Sequence, residues 1–180
     1  MAFRLNFGAR KAAFHYPLGD APRTAVLVPW FREPRQLALR RQQPVRVFAK
    51  GWTPDTALFS PAAIVGTREQ LLNLIAIPSP ADMHALIAVS RWGQPLLTAS
   101  ERERLWRAFH VPVFEQIIGA TGRVLAAECE AHDGLHVAQS TVEQGTYSVD
   151  ESPCPCGKKT ARLSSATPAE RVRSAAAYAR

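Results

Sequence analysis

The sequence predicts an α/β (or α+β) fold: a mixed sheet with flanking helices and a small β-hairpin corner towards its C-terminal end. Three observations predict it. Apolar runs with strand character, VRVFAK and MHALIAVSRW, alternate with segments of helical period, REQLLNLIAI and TASERERLWRAFH, the pattern of strands joined by helical crossovers. Asp133-Gly134 sits between two short apolar runs, a hairpin signal. All three cysteines fall beside that hairpin or beyond it.

The elements follow in order. Residues 1–23 read as an irregular N-terminal arm. TAVLVPWF, from Thr24 to Phe31, is β-branched and apolar, a strand ending near Pro29. REPRQLALRRQQP holds a turn or two of helix after Pro34, and VRVFAK, from Val45 to Lys50, is a strand. GWTPDTALFSPAAIVGT contains two strand-like runs broken by Pro54 and Pro61. In REQLLNLIAI the helix is capped by Thr67, with Leu71, Leu74 and Ile75 on its apolar face. MHALIAVSRW is a buried strand. TASERERLWRAFH is the clearest helix: Thr98 or Ser100 caps it, Glu101 and Glu103 sit at the positive end of its dipole, and Leu105, Trp106 and Phe109 form its stripe. After the break at Pro112, VPVFEQIIG is a strand, and RVLAAECEAHDGLHVAQ supplies the hairpin. TPAERVRSAAAYAR is a C-terminal helix with Thr167 as cap and Pro168 in its first turn. The expected organisation is the arm, a single α/β domain at 24–165, and the helix at 166–180.

Composition narrows the setting. The chain has 180 residues, 47% of them hydrophobic, enough to bury a core without disulfides. Three cysteines cannot all pair with one another, which favours a reducing, cytoplasmic setting. The N-terminus has positive charge but no continuous apolar segment, so it does not read as a secretory signal, and no run reaches membrane-spanning length. The net charge is +7. One basic cluster comprises Arg32, Arg35, Arg40, Arg41 and Arg46, another Lys158, Lys159, Arg162, Arg171, Arg173 and Arg180. Neither is an unbroken block or interleaved with aromatics, so a solvated basic surface is favoured over a nucleic-acid interface. Trp30, Trp52, Trp92 and Trp106 read as core or rim packing, and His15, His84 and His110 as isolated histidines.

The chemistry-bearing residues converge on one hypothesis. Cys129 and His136 flank the Asp133-Gly134 turn, and Cys154 and Cys156 bracket Pro155. An extended Cys-x-Cys pair turns both thiols the same way, and Gly157 lets the chain turn directly afterwards. Cys129, His136, Cys154 and Cys156 thus make a Cys₃His set, a structural zinc composition, with His132 as the rival histidine. The spacing leaves open a buried, inert Cys129 beside a free or redox-active Cys-x-Cys pair. The proline-cysteine ligands of zinc deaminases have two residues between the cysteines and an upstream His-x-Glu. Neither is present here.

LLTASERERLWRAFHVPVFEQIIGATGRVLAAECEAHDGLHV and CPCGKKTARL, within Leu96 to Leu163, resemble the phenylacetate–CoA ligase family of adenylate-forming enzymes. The resemblance does not reach the N-terminal half. It implies a zinc at these cysteines and this histidine, as in some members. It also implies the loss of catalysis. The family's Tyr-Gly-x-Ser/Thr-Glu motif, which binds adenylate and helps hold magnesium, falls on Glu115-Gln116-Ile117-Ile118-Gly119, with the tyrosine, glycine and glutamate replaced. No Ser/Thr/Gly-rich phosphate loop stands between Met1 and Trp92, and Gly119 to Gly122 is too short to replace it. The ribose-binding aspartate motif and the small domain with the catalytic lysine have no room. The expectation is therefore a non-catalytic zinc-binding domain that acts by binding a ligand, a protein partner or a second copy of itself. The alternatives are a small acyl-transfer enzyme, a zinc hydrolase using Glu130 or Asp133 as base, and a basic zinc module for nucleic acid.

Overall fold

The computed structural model describes residues 14–30, 45–78, 80, 82–138 and 147–165. The helical turns expected between Arg32 and Pro44 and the helix expected at 166–180 lie outside them. Residues 14–23 hold no helix or strand. Among the described residues three helices and nine strands follow: β1 (Thr24–Val26), β2 (Val45–Val47), α1 (Pro54–Phe59), β3 (Ala63–Gly66), α2 (Arg68–Leu74), β4 (Ala85–Arg91), α3 (Ala99–Phe109), β5 (Val113–Ile118), β6 (Val124–Glu128), β7 (Leu135–Val137), β8 (Tyr147–Asp150) and β9 (Arg162–Ser165). All strands join one mixed sheet in the order β2-β1-β3-β4-β5-β6-β7-β9-β8. Pairing is parallel from β2 to β5 and antiparallel from β5 to β8. Among the described residues no helix is long and apolar enough to cross a membrane.

Within the parallel half, β1, β3, β4 and β5 are buried on both faces, which is why they read as continuous apolar runs, whereas the edge strand β2 alternates. Along β4, Leu86 and Ala88 join one core with Leu71 and Leu74 of α2 and Leu105 and Phe109 of α3. Their neighbours Ala85, Ile87 and Val89 join a second core with Val65, Phe114, Ile118 and Tyr16 of the arm. A third cluster, Leu96, Ile117, Ala126, Leu135, Tyr147 and Leu163, lies under the antiparallel half.

The caps explain the helix boundaries, and in one place they overturn the strand expectation. Thr67 and Thr98 accept hydrogen bonds from the Gln70 and Glu101 N–H groups, and those residues reach back to the Thr67 and Thr98 N–H groups. These are reciprocal capping boxes. Glu101 adds an ion pair to Arg68, joining α2 to α3. The first run of GWTPDTALFSPAAIVGT is a helix, α1, not a strand. Thr53 precedes Pro54 in the first turn and its N–H donates to Thr56 Oγ1, start signals that outweigh the apolar content of PDTALF. In α3 the stripe is narrower than expected: Leu105 and Phe109 are buried, while Trp106 is 51% exposed.

The arm docks on the second face through β5. Gln116 is 1% exposed. Its side-chain amide donates to the His15 carbonyl and accepts from the His15 N–H, imitating one rung of a β-ladder.

Candidate metal centre

The corner is built where the antiparallel strands end. β6 runs out at Glu128, and the chain turns through Cys129-Glu130-Ala131-His132, closed by a hydrogen bond from His132 N–H to the Cys129 carbonyl at 3.1 Å. Gly134 then takes a φ of +82°. A Cβ there would meet the Leu163 carbonyl oxygen at 3.0 Å, so both conformation and space demand glycine. β7 carries His136 opposite Ala127 of β6 and Arg162 of β9. The other two cysteines lie in the connection from β8 to β9. The Cys-Pro-Cys stretch is a β-turn, with Gly157 N–H donating to the Cys154 carbonyl at 2.9 Å, and not the extended pair the spacing suggests. Proline at the second turn position and Gly157 at φ +82° account for it.

These local choices gather Cys129, His136, Cys154 and Cys156, whose ligand atoms all lie within 4.8 Å of one another. Cys129 Sγ is 3.7 Å from Cys154 Sγ, and Cys156 Sγ is 3.3 Å from His136 Nε2. The cysteines are free thiols. His136 Nδ1 is 2.9 Å from Thr160 Oγ1, a contact that aims Nε2 at the sulfurs. Burial pushes the Cys129 thiol up to about 11, and the neighbouring Cys156 and Cys154 add to it. Burial also lowers His136. Cys156 is lowered, chiefly by the backbone N–H of Lys158. Three thiols and an imidazole packed this closely form a set that can hold a metal ion.

His132 is elsewhere. Its Nδ1 is 3.4 Å from Glu128 Oε1, and its ring stacks on Phe114 at 4.6 Å between centroids. Asp133, a candidate base in the hydrolase reading, has its carboxylate paired with Arg162. Arg162 is the residue that sequence reasoning misplaced. It counted as part of a solvated basic cluster, yet it is 3% exposed. It binds the Asp133 carbonyl, the Asp133 and Asp150 carboxylates and Ser152, tying the hairpin turn to the β8–β9 connection. Only its place opposite His136 and Asp150 in the ladder gives it that role, and pairing register is invisible in a single sequence.

On its other side the corner meets a buried charge cluster. The Arg102 guanidinium pairs with Glu115 at 2.9 Å and Glu128 at 3.1 Å, and it also donates to the Val113 carbonyl. Glu115 further accepts from Leu97 N–H at 2.7 Å. Two carboxylates share one guanidinium, and burial, reinforced by the Glu128 charge, raises Glu115 to about 7. The folded state therefore holds this proton more tightly than the unfolded chain, where the value is 4.5. Its contribution to stability is fully present below pH 4.5 and is lost as pH rises towards about 7. A loss on the order of 3 kcal/mol is expected over that interval. Glu115→Gln should flatten that part of the stability–pH curve, measured by urea unfolding across the range. An unchanged slope in the variant would refute the assignment.

No protein-family model and no curated protein matches the chain by sequence. Solved structures do match it in three dimensions. An open conformation of 2-hydroxyisobutyryl-CoA ligase in complex with 2-HIB-AMP and CoA superposes with a TM-score of 0.56 at 15% identity, covering 81% of this chain and 44% of that one. The same ligase in its thioesterification state gives a TM-score of 0.57 at 16% identity, over 82% of this chain and 43% of the ligase. The chain therefore has the fold of part of an adenylate-forming acyl-CoA ligase and spans less than half of that enzyme's length. Coverage of this extent exceeds Leu96 to Leu163, so the structural likeness takes in N-terminal residues that the sequence resemblance did not reach.

Proposed function

We propose that the chain is a non-catalytic, zinc-stabilised domain on part of an adenylate-forming ligase scaffold, working by binding a protein or a ligand. The observation that carries this reading is the convergence of three sulfurs and one imidazole nitrogen within 4.8 Å. A tetrahedral zinc with bonds of about 2.3 Å to sulfur and about 2.0–2.1 Å to nitrogen needs S···S near about 3.8 Å and S···N near about 3.5 Å. The separations of 3.7 Å between Cys129 and Cys154 and 3.3 Å between Cys156 and His136 lie close to those values. Four protein ligands leave no open position, the arrangement of a structural site rather than a catalytic one.

The residues on the ligase motif support the absence of adenylation. Glu115 is engaged with Leu97 and Arg102, and Gln116 with the arm, so neither is available for a nucleotide or its magnesium. Binding to a partner or to a second copy, in a cytoplasmic setting, follows as the role left to such a scaffold. Protein purified without added metal should contain one zinc per chain by elemental analysis. Calorimetric titration with ATP, and separately with CoA, should release no heat. Metal-free folded protein would refute the zinc reading. Saturable heat with ATP would refute the non-catalytic one.

A further inference from the structure

Arg162 is 3% exposed, yet one of its donors is idle. Among the described residues its Nε is the one buried side-chain nitrogen or oxygen without a hydrogen-bond partner. A dry, unmade donor on a charged group is costly and calls for an acceptor.

The ladder says where to look. Arg162 of β9 stands directly opposite His136 of β7 on one side and Asp150 of β8 on the other. Residues paired in this way send their side chains to the same face of the sheet, so the guanidinium shares a face with a candidate metal ligand. Its two terminal nitrogens hold both ligand-bearing loops. Nη1 donates to the Asp133 carbonyl and carboxylate, between Cys129 and His136. Nη2 donates to the Asp150 carboxylate and to Ser152, two residues before Cys154. Burial works against its charge, yet Arg162 is raised from its ordinary value by Asp133, Asp150 and Cys154.

Charge points to the acceptor. The Asp133 and Asp150 side chains are 59% and 52% exposed, so water shares their charges, while the guanidinium is dry. Three thiolates and a neutral imidazole around a dication would leave one negative charge in excess inside the corner. A thiol is a weak acceptor, whereas a thiolate accepts as a charged group does. Cys129 and Cys156 each have a backbone N–H at hand, from Ala131 and Lys158. We propose that Arg162 is the counter-cation of the metal centre: its Nε–H donates to Cys154 Sγ once a metal holds that sulfur as thiolate, and its charge offsets the excess. Arg162 is then a positioning residue that sets metal affinity as well as clasping two loops. This role rests on the zinc reading proposed above.

Zinc affinity of the full chain, measured by competition with a chromophoric chelator, tests the role. Arg162→Gln should weaken zinc binding by at least about tenfold, the usual cost of losing a ligand's partner. Arg162→Lys, which keeps the charge but lacks the fork, should fall between the two. Asp150→Asn cuts the tie to an exposed carboxylate and leaves the guanidinium in place, so it should cost less than about fivefold. A residue that merely clasped the loops would lose as much from Asp150→Asn as from Arg162→Gln. Far-UV circular dichroism of each variant shows whether it folds, and a measurement on the unaltered chain needs no variant at all. When zinc is returned to chelated protein, the Arg162 Nε–H resonance should move downfield and exchange more slowly with water. A loss below about tenfold in folded Arg162→Gln, an equal loss in Asp150→Asn, or an Nε–H resonance indifferent to zinc would each overturn the role of Arg162. An unaltered chain that takes up no zinc would instead overturn the metal reading beneath it.

Discussion

Stripping the metal with a strong chelator is expected to lower the melting temperature by on the order of 10 °C. Cys129 follows β6, His136 lies in β7, and Cys154 and Cys156 connect β8 to β9, so one cation would join four strands whose own core is small. Six buried residues make that cluster, and the outermost strand, β8, exposes Val149. Without the cation Cys129 returns to the protonated form that burial favours there, and the binding energy is lost from the folding energy. Cys156→Ser should move the melting temperature in the same direction, because it removes one of four ligands without opening a cavity in the core. Circular dichroism melts of metal-loaded protein, chelated protein and the variant check both. A metal-containing protein whose melt ignores the chelator would contradict a structural role.

Phe114→Ala should destabilise the chain by about 3–5 kcal/mol. Phe114 is 1% exposed and among the largest fully buried side chains. It packs with Ile87, Val89 and Ile118 on the second face of the sheet, beside the arm residue Tyr16. It is also the platform for the His132 ring, so its loss should loosen the turn before Gly134. Phe114→Leu keeps most of the volume and should cost far less, on the order of 1 kcal/mol. Urea unfolding midpoints of the two variants give the comparison. Equal, small losses would mean that Phe114 is not part of the close-packed core.

Legibility in the sequence followed the kind of interaction that decides each element. Capped helices with strong apolar faces were readable, because Thr67 with Gln70 and Thr98 with Glu101 are local pairs. The strands β1, β4 and β5 were readable because burial on both faces leaves a continuous apolar run, and the edge strand β2 because its residues alternate. The helix α1 was mistaken because six residues are too few to show a period, leaving only the Thr-Pro-Asp start as a signal. The strands β8 and β9 went unread. YSVD and RLSS carry little apolar content, and they are strands through pairing with each other and with β7. At the corner the four candidate ligands were named from residue type and spacing. The choice of His136 over His132 rests on the turn at 129–132, and the convergence of Cys154 and Cys156 rests on a turn in place of an extended segment. Both are backbone outcomes that composition does not encode.

The adjacency of Glu128 and Cys129 has a consequence for tolerated change. One serves the Arg102 cluster and the other the sulfur corner, with a single peptide bond between them. Slipping β6 by one position against β5 would set Glu128 among the thiols and Ala127 against the guanidinium in one direction, or Cys129 against the guanidinium and Glu130 among the thiols in the other. Length variation in the short bend from Gly119 to Arg123 is therefore safe only when the loop absorbs it whole. A lone inserted or deleted residue that propagated into β6 would spoil two unrelated sites at once.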